Sequence, residues 1–208
     1  LVKGGSTPFE SGAELAAHTI LSADIETTDM GAQLIVEGQL GQEVVITSVL
    51  DDTVGAGGTF DTSDNQDSTG PQPGDWGGMY PGHLSTASID HSRIAYGGGI
   101  GKLEGNFAGF NTIEIHQADV RIARSVFENN ADGTAEIPSN RAGRGSNDPA
   151  TVFVRGAQPV VIDNIFRDNR GAVLSFDVNS LNHELNPDRG RSTGTNDRLA
   201  STDGNQGP

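Results

Sequence analysis

The stretches Thr112–Asn130, TIEIHQADVRIARSVFENN, and Thr151–Asn169, TVFVRGAQPVVIDNIFRDN, align without a gap. Identical residues and conserved apolar positions recur between them, while the intervening charges change. The identities are Thr112/Thr151, Ala118/Ala157, Phe127/Phe166 and Asn130/Asn169, and the apolar matches are Ile113/Val152, Ile115/Val154, Ile122/Val161 and Val126/Ile165. A partial copy, ASIDHSRIAYGG from Ala87 to Gly98, aligns Ile94 with Phe127 and Phe166. A fixed apolar skeleton under a variable surface is typical of stacked repeats, because each repeat buries its apolar residues against its neighbours.

The spacing of the copies predicts an all-β fold. They lie 33 and 39 residues apart, counted from Ile94 to Phe127 and from Phe127 to Phe166. Strand-like runs alternate with turns and polar loops, and only Gly12 to Ser22 is compatible with a short amphipathic helix. We therefore expect a right-handed parallel β-helix with Ile94, Phe127 and Phe166 in one interior column. Alternation along the strands then places a polar ladder of Ser92, Ser125 and Asn164 inside as well.

The repeat pattern also predicts the domain organisation. We expect residues 1–208 to form a single β-helix domain that is a segment of a longer polypeptide, since the chain starts and stops in mid-pattern. Polar, Gly-rich insertions at 51–75 and 131–149 should lie outside the helix cross-section, because they offer no apolar face to bury. The polar stretch 182–208 reads as a surface loop or tail.

Composition narrows the classes of partner. The 28 acidic residues outnumber the 13 basic ones, giving a net charge of -15, so we exclude attraction to the phosphate backbone of nucleic acid. No stretch approaches the roughly 20 apolar residues of a membrane span. Cysteine is absent from the sequence, which excludes disulfides and thiolate metal sites.

One Asp-rich loop is a candidate calcium site. The segment FDTSDNQDSTG gathers oxygen ligands from Asp61, Asp64, Asn65 and Asp67. It lacks the Gly and the terminal Glu of an EF-hand loop. The alternative is that these carboxylates form a solvated surface and that the protein has no cofactor.

The aromatic residues near the first repeat offer a second candidate site. Trp76, the single Trp, is followed by Gly77 and Gly78, and Tyr80 lies close by. Trp76 and Tyr80 are candidates for a carbohydrate-stacking platform. The alternative is that they anchor a loop by packing on the edge of the repeat stack.

A charged row provides the candidate catalytic site. On the exposed strand faces we expect a cluster of Asp90, His91, Arg93, Arg121, Arg124 and Asp163. His91, Arg124 and Asp163 align as one row, in which a base and carboxylates suit acid–base chemistry on a sugar. The alternative is a solvated face with paired charges. A second row, Ala95, Glu128 and Arg167, should also face solvent. The expected charge pairs between neighbouring strands are Arg124 beside Asp163 and Glu128 beside Arg167.

Several longer motifs carry a family resemblance. They are PGDWGGMY (residues 73–80), SIDHSRIAYGGG (88–99), the repeat ends FENN and FRDN, NSLNHEL (179–185) and DRGRSTG (188–194). The combination resembles the pectate-lyase-like β-helix segments of very large secreted bacterial proteins, notably those of planctomycetes. The resemblance implies a secreted protein at the cell surface or in the matrix. We therefore expect a non-catalytic structural or adhesive module that contacts polysaccharide through its long loops. The alternative is a carbohydrate-active β-helix enzyme of the lyase, hydrolase or epimerase type, which a groove with convergent side chains beside His91, Arg124 and Asp163 would favour.

Overall fold

The computed structural model describes residues 2–4, 11–15, 20–23, 33–54, 61, 66, 69–82, 85–103, 106–116, 118–134 and 147–176. These residues form seventeen β-strands and no α-helix, so the predicted all-β class is confirmed. The strands are β1 (Val2–Gly4), β2 (Ser11–Leu15), β3 (Ile20–Ala23), β4 (Gln33–Glu37), β5 (Val44–Ser48), β6 (Gly78–Pro81), β7 (Thr86–Asp90), β8 (Ser92–Ala95), β9 (Ile100–Leu103), β10 (Asn106–Gly109), β11 (Ile113–His116), β12 (Asp119–Ala123), β13 (Val126–Glu128), β14 (Ala150–Arg155), β15 (Val160–Ile162), β16 (Ile165–Arg167) and β17 (Ala172–Phe176).

Fifteen of these strands build three sheets, which we name A, B and C. Sheet A has the order β1-β2-β5-β8-β13-β16, sheet B the order β3-β6-β11-β14-β17, and sheet C the order β4-β7-β12-β15. Neighbouring strands are parallel except for β1, which runs antiparallel to β2. Successive passes of the chain place one strand in sheet A, then one in B, then one in C. β9 and β10 form a separate antiparallel hairpin between β8 and β11.

The register between passes reproduces the sequence alignment. Phe127 pairs with Ile94 on one side and with Phe166 on the other, as the predicted interior column requires. The same 39-residue offset pairs Ile113 with Val152 in sheet B and Ile122 with Val161 in sheet C. Apolar side chains from all three sheets meet in one core: Val36, Ile46, Trp76, Met79, Ala87, Ile89, Ile94, Ile113, Ile115, Ala118, Val120, Ile122, Phe127, Val152, Val154 and Ala157.

Two ladders of polar side chains cross sheet A, one where its strands begin and one just after its strands end. In the predicted ladder, the Ser92 amide donates to Ser125 Oγ at 3.1 Å and the Ser125 amide donates to Asn164 Oδ1 at 3.0 Å. A second ladder starts at Asn130, whose Oδ1 accepts from the Gly97 amide at 2.8 Å and whose amide donates to Asn169 Oδ1 at 3.0 Å. Each side chain therefore satisfies a backbone amide of the preceding pass, which fixes the register where the chain leaves the sheets.

The remaining predictions about the fold concern a possible helix, the two insertions and the polar stretch 182–208. The helix considered for Gly12 to Ser22 is wrong for the residues described there, because β2 ends at Leu15 and β3 begins at Ile20. The polar stretch 182–208 lies outside the described residues, as do 55–60, 62–65 and 67–68 of the first insertion and 135–146 of the second. At the start of the first insertion, Asp51 is buried and accepts from Thr47 Oγ1 at 2.6 Å, so this end is tied to sheet A.

Candidate functional site

A groove lies on the outer face of sheet A. Its volume is about 650 Å³, within the range typical of small-molecule sites. Side chains of Val45, Arg93, Val126 and Ile165 stack along it, because the parallel register places them in one outward-facing column. The remaining lining residues are Leu40, Glu43, Thr53, Val54, His91, Ser92, Arg124, Ser125, Asp163 and Arg167. The groove thus has an aliphatic floor bordered by charged groups.

The predicted row His91, Arg124 and Asp163 forms one border of the groove. All three residues have left-handed backbones, with φ of 42°, 48° and 55°, at the corner between sheets C and A. This conformation is unfavourable for side chains with a Cβ, so the surrounding structure must hold it. The ladder of Ser92, Ser125 and Asn164 lies immediately after these corners and supplies the stabilising bonds.

Asp90 organises the first charged cluster. Its side chain is only 11% exposed and accepts Nη1 of Arg121 at 2.6 Å and Nε of Arg124 at 3.0 Å, with Nη2 of Arg124 also in contact. Nδ1 of His91 lies 2.7 Å from Oδ1 of Asp90. A proton on Nδ1 suits this contact, because an unprotonated nitrogen would face a carboxylate lone pair.

The electrostatics of this cluster follow from its burial. Burial alone would raise the pKa of Asp90, but the hydrogen bonds and charges of Arg121 and Arg124 outweigh it and hold the pKa below its ordinary value. Asp90 is therefore ionised at neutral pH, and its negative charge fixes the guanidinium groups of Arg121 and Arg124 and the imidazole of His91. Of these, Arg124 and His91 line the groove.

Glu128 organises a second cluster farther along sheet A. Its side chain is 7% exposed and contacts Nε of Arg93, and it accepts Nε of Arg167 at 2.6 Å. Burial would raise the pKa of Glu128, yet the bonds to Arg93 and Arg167 lower it. Asp51 adds a longer contact of 3.9 Å to Nη1 of Arg93. Two buried carboxylates, Asp90 and Glu128, therefore position four guanidinium groups, and the acidic residues Glu43 and Asp163 balance part of this charge within the groove.

The predicted charge pairs need correction in part. Glu128 pairs with Arg167 as expected, but the expected solvent-facing row is wrong for two of its members, since Ala95 and Glu128 are buried. The predicted pair of Arg124 with Asp163 is absent from the described contacts, because the Arg124 guanidinium turns to Asp90. Asp90 lies one residue before the corner and is more buried, so it offers the better-shielded partner.

The carbohydrate-stacking interpretation of Trp76 and Tyr80 does not fit the structure. Both side chains are fully buried, so neither ring has an open face for a sugar. Trp76 Nε1 donates to the Ala95 carbonyl at 2.8 Å, and a Cβ on Gly97 would meet the indole at 2.7 Å. Tyr80 packs edge-on against Phe110, with ring centroids 6.2 Å apart. The packing alternative is the one that these contacts support.

The calcium candidates fall mostly outside the described part of the chain. Asp61 is described, and its Oδ2 accepts the Gln66 amide at 2.7 Å. Asp64, Asn65 and Asp67 are not described, so calcium binding by this loop stays a prediction. Among the described residues, no group of three or more His, Asp or Glu side chains is arranged to hold a metal ion.

The sequence predicted the row of His91, Arg124 and Asp163 but not the aliphatic floor beside it. Val126 and Ile165 were identified only as apolar repeat positions, and Glu128 was expected to face solvent. The alignment of Arg93 with Val126 and Ile165 carried the missing signal, because consecutive passes must stack these side chains in one outward column. Leu40 and Val54 also line the groove. Both lie in loops that have no counterpart in the other repeats.

Comparisons with known proteins add no relative. No protein-family model, no curated protein and no solved structure matched the chain. Within the described residues, no helix is long and apolar enough to cross a membrane.

Proposed function

We propose that the chain is part of a right-handed parallel β-helix that acts as a non-catalytic adhesive module of a secreted or cell-surface protein and binds polysaccharide in the groove of sheet A. Support for the β-helix comes from the repeated order of sheets A, B and C along the chain. Parallel connections in proteins are almost always right-handed. Support for the secreted location is the family resemblance of the sequence motifs.

The observation that carries the proposal is the combination of an aliphatic floor with immobilised charged borders in one groove. A sugar ring offers apolar C–H faces and polar hydroxyl edges, so it suits Val126 and Ile165 below and guanidinium groups at the sides. Arg124 and Arg167 are already held by Asp90 and Glu128, which reduces the entropy lost when they bind a ligand. Equivalent residues recur about every 4.8 Å along the stack, which suits a ligand that is itself a repeating chain.

Binding is best tested with a panel of immobilised oligosaccharides, followed by calorimetry with those that bind. Arg124→Gln and Arg167→Gln each remove one groove guanidinium and leave the buried carboxylate with its second arginine. The matched control is Arg170→Gln, an exposed arginine outside the groove. We expect each groove variant to weaken binding about tenfold or more, which corresponds to one charge-assisted hydrogen bond, and the control to bind normally. If Arg124→Gln, Arg167→Gln and Arg170→Gln bound the oligosaccharide with equal affinity, the groove would be ruled out as the binding site.

Two observations favour an enzyme as the second candidate function. The first is the groove beside His91, Arg124 and Asp163, which is the feature that the sequence analysis named as favouring an enzyme. The second concerns His91. His91 lies in the groove with Nδ1 beside the buried carboxylate of Asp90, an arrangement that orients an imidazole for proton transfer through Nε2. His91→Asn is the suitable variant, because Asn tolerates the left-handed backbone at this corner. Chain shortening of a bound glycan by the wild type, lost in His91→Asn without loss of binding, supports the enzyme. Binding without turnover supports the adhesive module.

A further inference from the structure

The apolar surface of the groove is made of aliphatic side chains. They are Leu40, Val45, Val54, Val126 and Ile165, and no Phe, Tyr or Trp is among the described lining residues. Leu40 is 86% exposed and Ile165 is 56% exposed, so both are open to a ligand. An aliphatic surface contacts the C–H faces of any sugar, but it gains most from a ligand with additional apolar groups, because the gain grows with the apolar area buried. The floor therefore favours a glycan whose sugars carry methyl groups.

Leu40 reaches the groove from a hydrogen-bonded turn. The backbones of Gln39 and Gln42 exchange two hydrogen bonds of 3.0 and 2.8 Å across the turn. Gly41 occupies the left-handed position with a φ of 76°, and its amide donates to Oε1 of Glu43 at 2.9 Å. Because the turn is ordered before a ligand arrives, contact with Leu40 costs little backbone entropy.

The balance of charges at the groove favours a neutral ligand. Among the described residues in and around the groove, four guanidinium groups meet five carboxylates: Arg93, Arg121, Arg124 and Arg167 with Glu43, Asp51, Asp90, Glu128 and Asp163. A proton added to His91 would only balance the two signs. The whole chain carries a net charge of -15. An anionic glycan would therefore meet no positive excess at the groove and would be repelled at long range.

Two arginines bring hydrogen-bond donors to the edges of the aliphatic floor. Arg124 precedes Val126 by two residues and Arg167 follows Ile165 by two, so each arginine lies on the same outward face as its neighbour. Their side chains are 45% and 59% exposed. In the described contacts, each arginine meets its carboxylate through Nε and Nη2. The N–H groups of Nη1 are therefore placed to donate to a neutral acceptor on the ligand, such as a carbonyl oxygen.

We propose that the glycan is neutral and acetylated, and that the groove recognises its acetyl groups. The acetyl methyl packs on the aliphatic floor, and the acetyl carbonyl accepts a hydrogen bond from Arg124 or Arg167. An acetyl group supplies both features on adjacent atoms, whereas a 6-deoxy sugar supplies only the methyl and a uronic acid supplies a charged acceptor without a methyl. This inference rests on the proposed binding of polysaccharide and adds the class of glycan.

Paired ligands test the inference by calorimetry. The probes are acetylated xylan and acetylated glucomannan oligosaccharides, each compared with the same oligosaccharide after mild alkaline removal of its acetyl esters. We expect an acetylated form to bind about tenfold more tightly than its partner, since methyl burial and the carbonyl hydrogen bond each contribute several-fold. Equal affinity within each pair, or tighter binding of oligogalacturonate, overturns this inference but leaves glycan binding in place. Absence of binding by every probe overturns the proposed function together with the inference.

Variants of the floor provide a second measurement. Leu40→Ser and Ile165→Thr reduce the aliphatic surface at exposed positions in the groove. The matched controls are Ile35→Ser and Ile162→Thr, at positions that are 58% and 48% exposed and lie outside the groove. The readout is the ratio of affinities for the acetylated and deacetylated forms, because a merely distorted groove weakens both alike. We expect the groove variants to lower this ratio about threefold or more and the controls to keep it. An unchanged ratio in the groove variants overturns the inference.

Discussion

Replacing Phe127 by Ala should be among the most destabilising single changes in this chain. The side chain is fully buried and pairs with Ile94 and Phe166 in adjacent strands. Its ring stacks on Phe166 with a centroid distance of 4.8 Å and an interplanar angle of 9°. Removing a fully buried Phe costs about 3 to 5 kcal/mol, because both the transfer energy and a residual cavity count against the fold.

Phe166→Ala is the matched control for position in the stack. Phe166 is the equivalent residue one pass later, but it is only half-buried. We expect its replacement to cost roughly 1 to 2 kcal/mol, since less apolar area leaves the interior. In the double variant the two losses should fall short of additivity by about 0.5 to 1.5 kcal/mol, the contribution of the stacked pair.

Urea unfolding measures these free energies. Circular dichroism follows the strands, and fluorescence follows Trp76, the single and fully buried Trp. Coincident transitions are required before free energies are compared, because stacked repeats do not always unfold in one step. Equal costs for Phe127→Ala and Phe166→Ala would contradict the difference in burial, and strictly additive losses would show that the two rings do not stabilise each other.

Three further predictions concern the polar groups. Asn130→Ala should cost about 2 to 4 kcal/mol in urea unfolding, because it leaves buried backbone groups of the preceding pass unpaired; a neutral change would contradict the ladder. Asp90 and Glu128 have pKa values in the folded protein that are lowered from the ordinary 3.8 and 4.5. The stability that they add is therefore fully present above these ordinary pKa values, and it is lost as the pH falls through the lowered pKa values of the folded protein. Glu128→Gln should therefore flatten the loss of stability in acid, and an unchanged profile would contradict this assignment. Calorimetric titration of chelator-treated protein tests the calcium loop, where saturable binding should disappear in Asp64→Ala/Asp67→Ala; no binding at millimolar calcium removes the loop as a site.

The repeats in the sequence were sufficient to predict which residues pair between neighbouring strands, because this register depends only on spacing along the chain. The gapless alignment of Thr112–Asn130 with Thr151–Asn169 already stated which residues pair in all three sheets. The ladder of Ser92, Ser125 and Asn164 followed from alternation along a strand. Such statements need only the period of the pattern and the two faces of a β-strand.

The candidate site was predicted less completely, because partners in a folded chain are chosen by burial as well as by register. His91, Arg124 and Asp163 do line one groove, as the alignment suggested. Their ionic partners differ, since Arg124 binds the more deeply buried Asp90. Trp76 and Tyr80 fit a sugar platform by residue type alone, but Gly97 brings its backbone against the Trp76 ring, and both side chains are fully buried.

The sequence by itself determined the repeat, the inward column of Ile94, Phe127 and Phe166, and the acidic balance, since each depends on composition or on spacing along the chain. Only the tertiary structure decided that Glu128 is buried between Arg93 and Arg167, that loops carrying Leu40 and Val54 border a groove, and that β15, β16 and β17 end with exposed apolar side chains. The physical reason is that the burial and the ion pairing of a side chain depend on which residues lie next to it in space. That neighbour comes from a different pass or loop, whose position the local pattern does not specify.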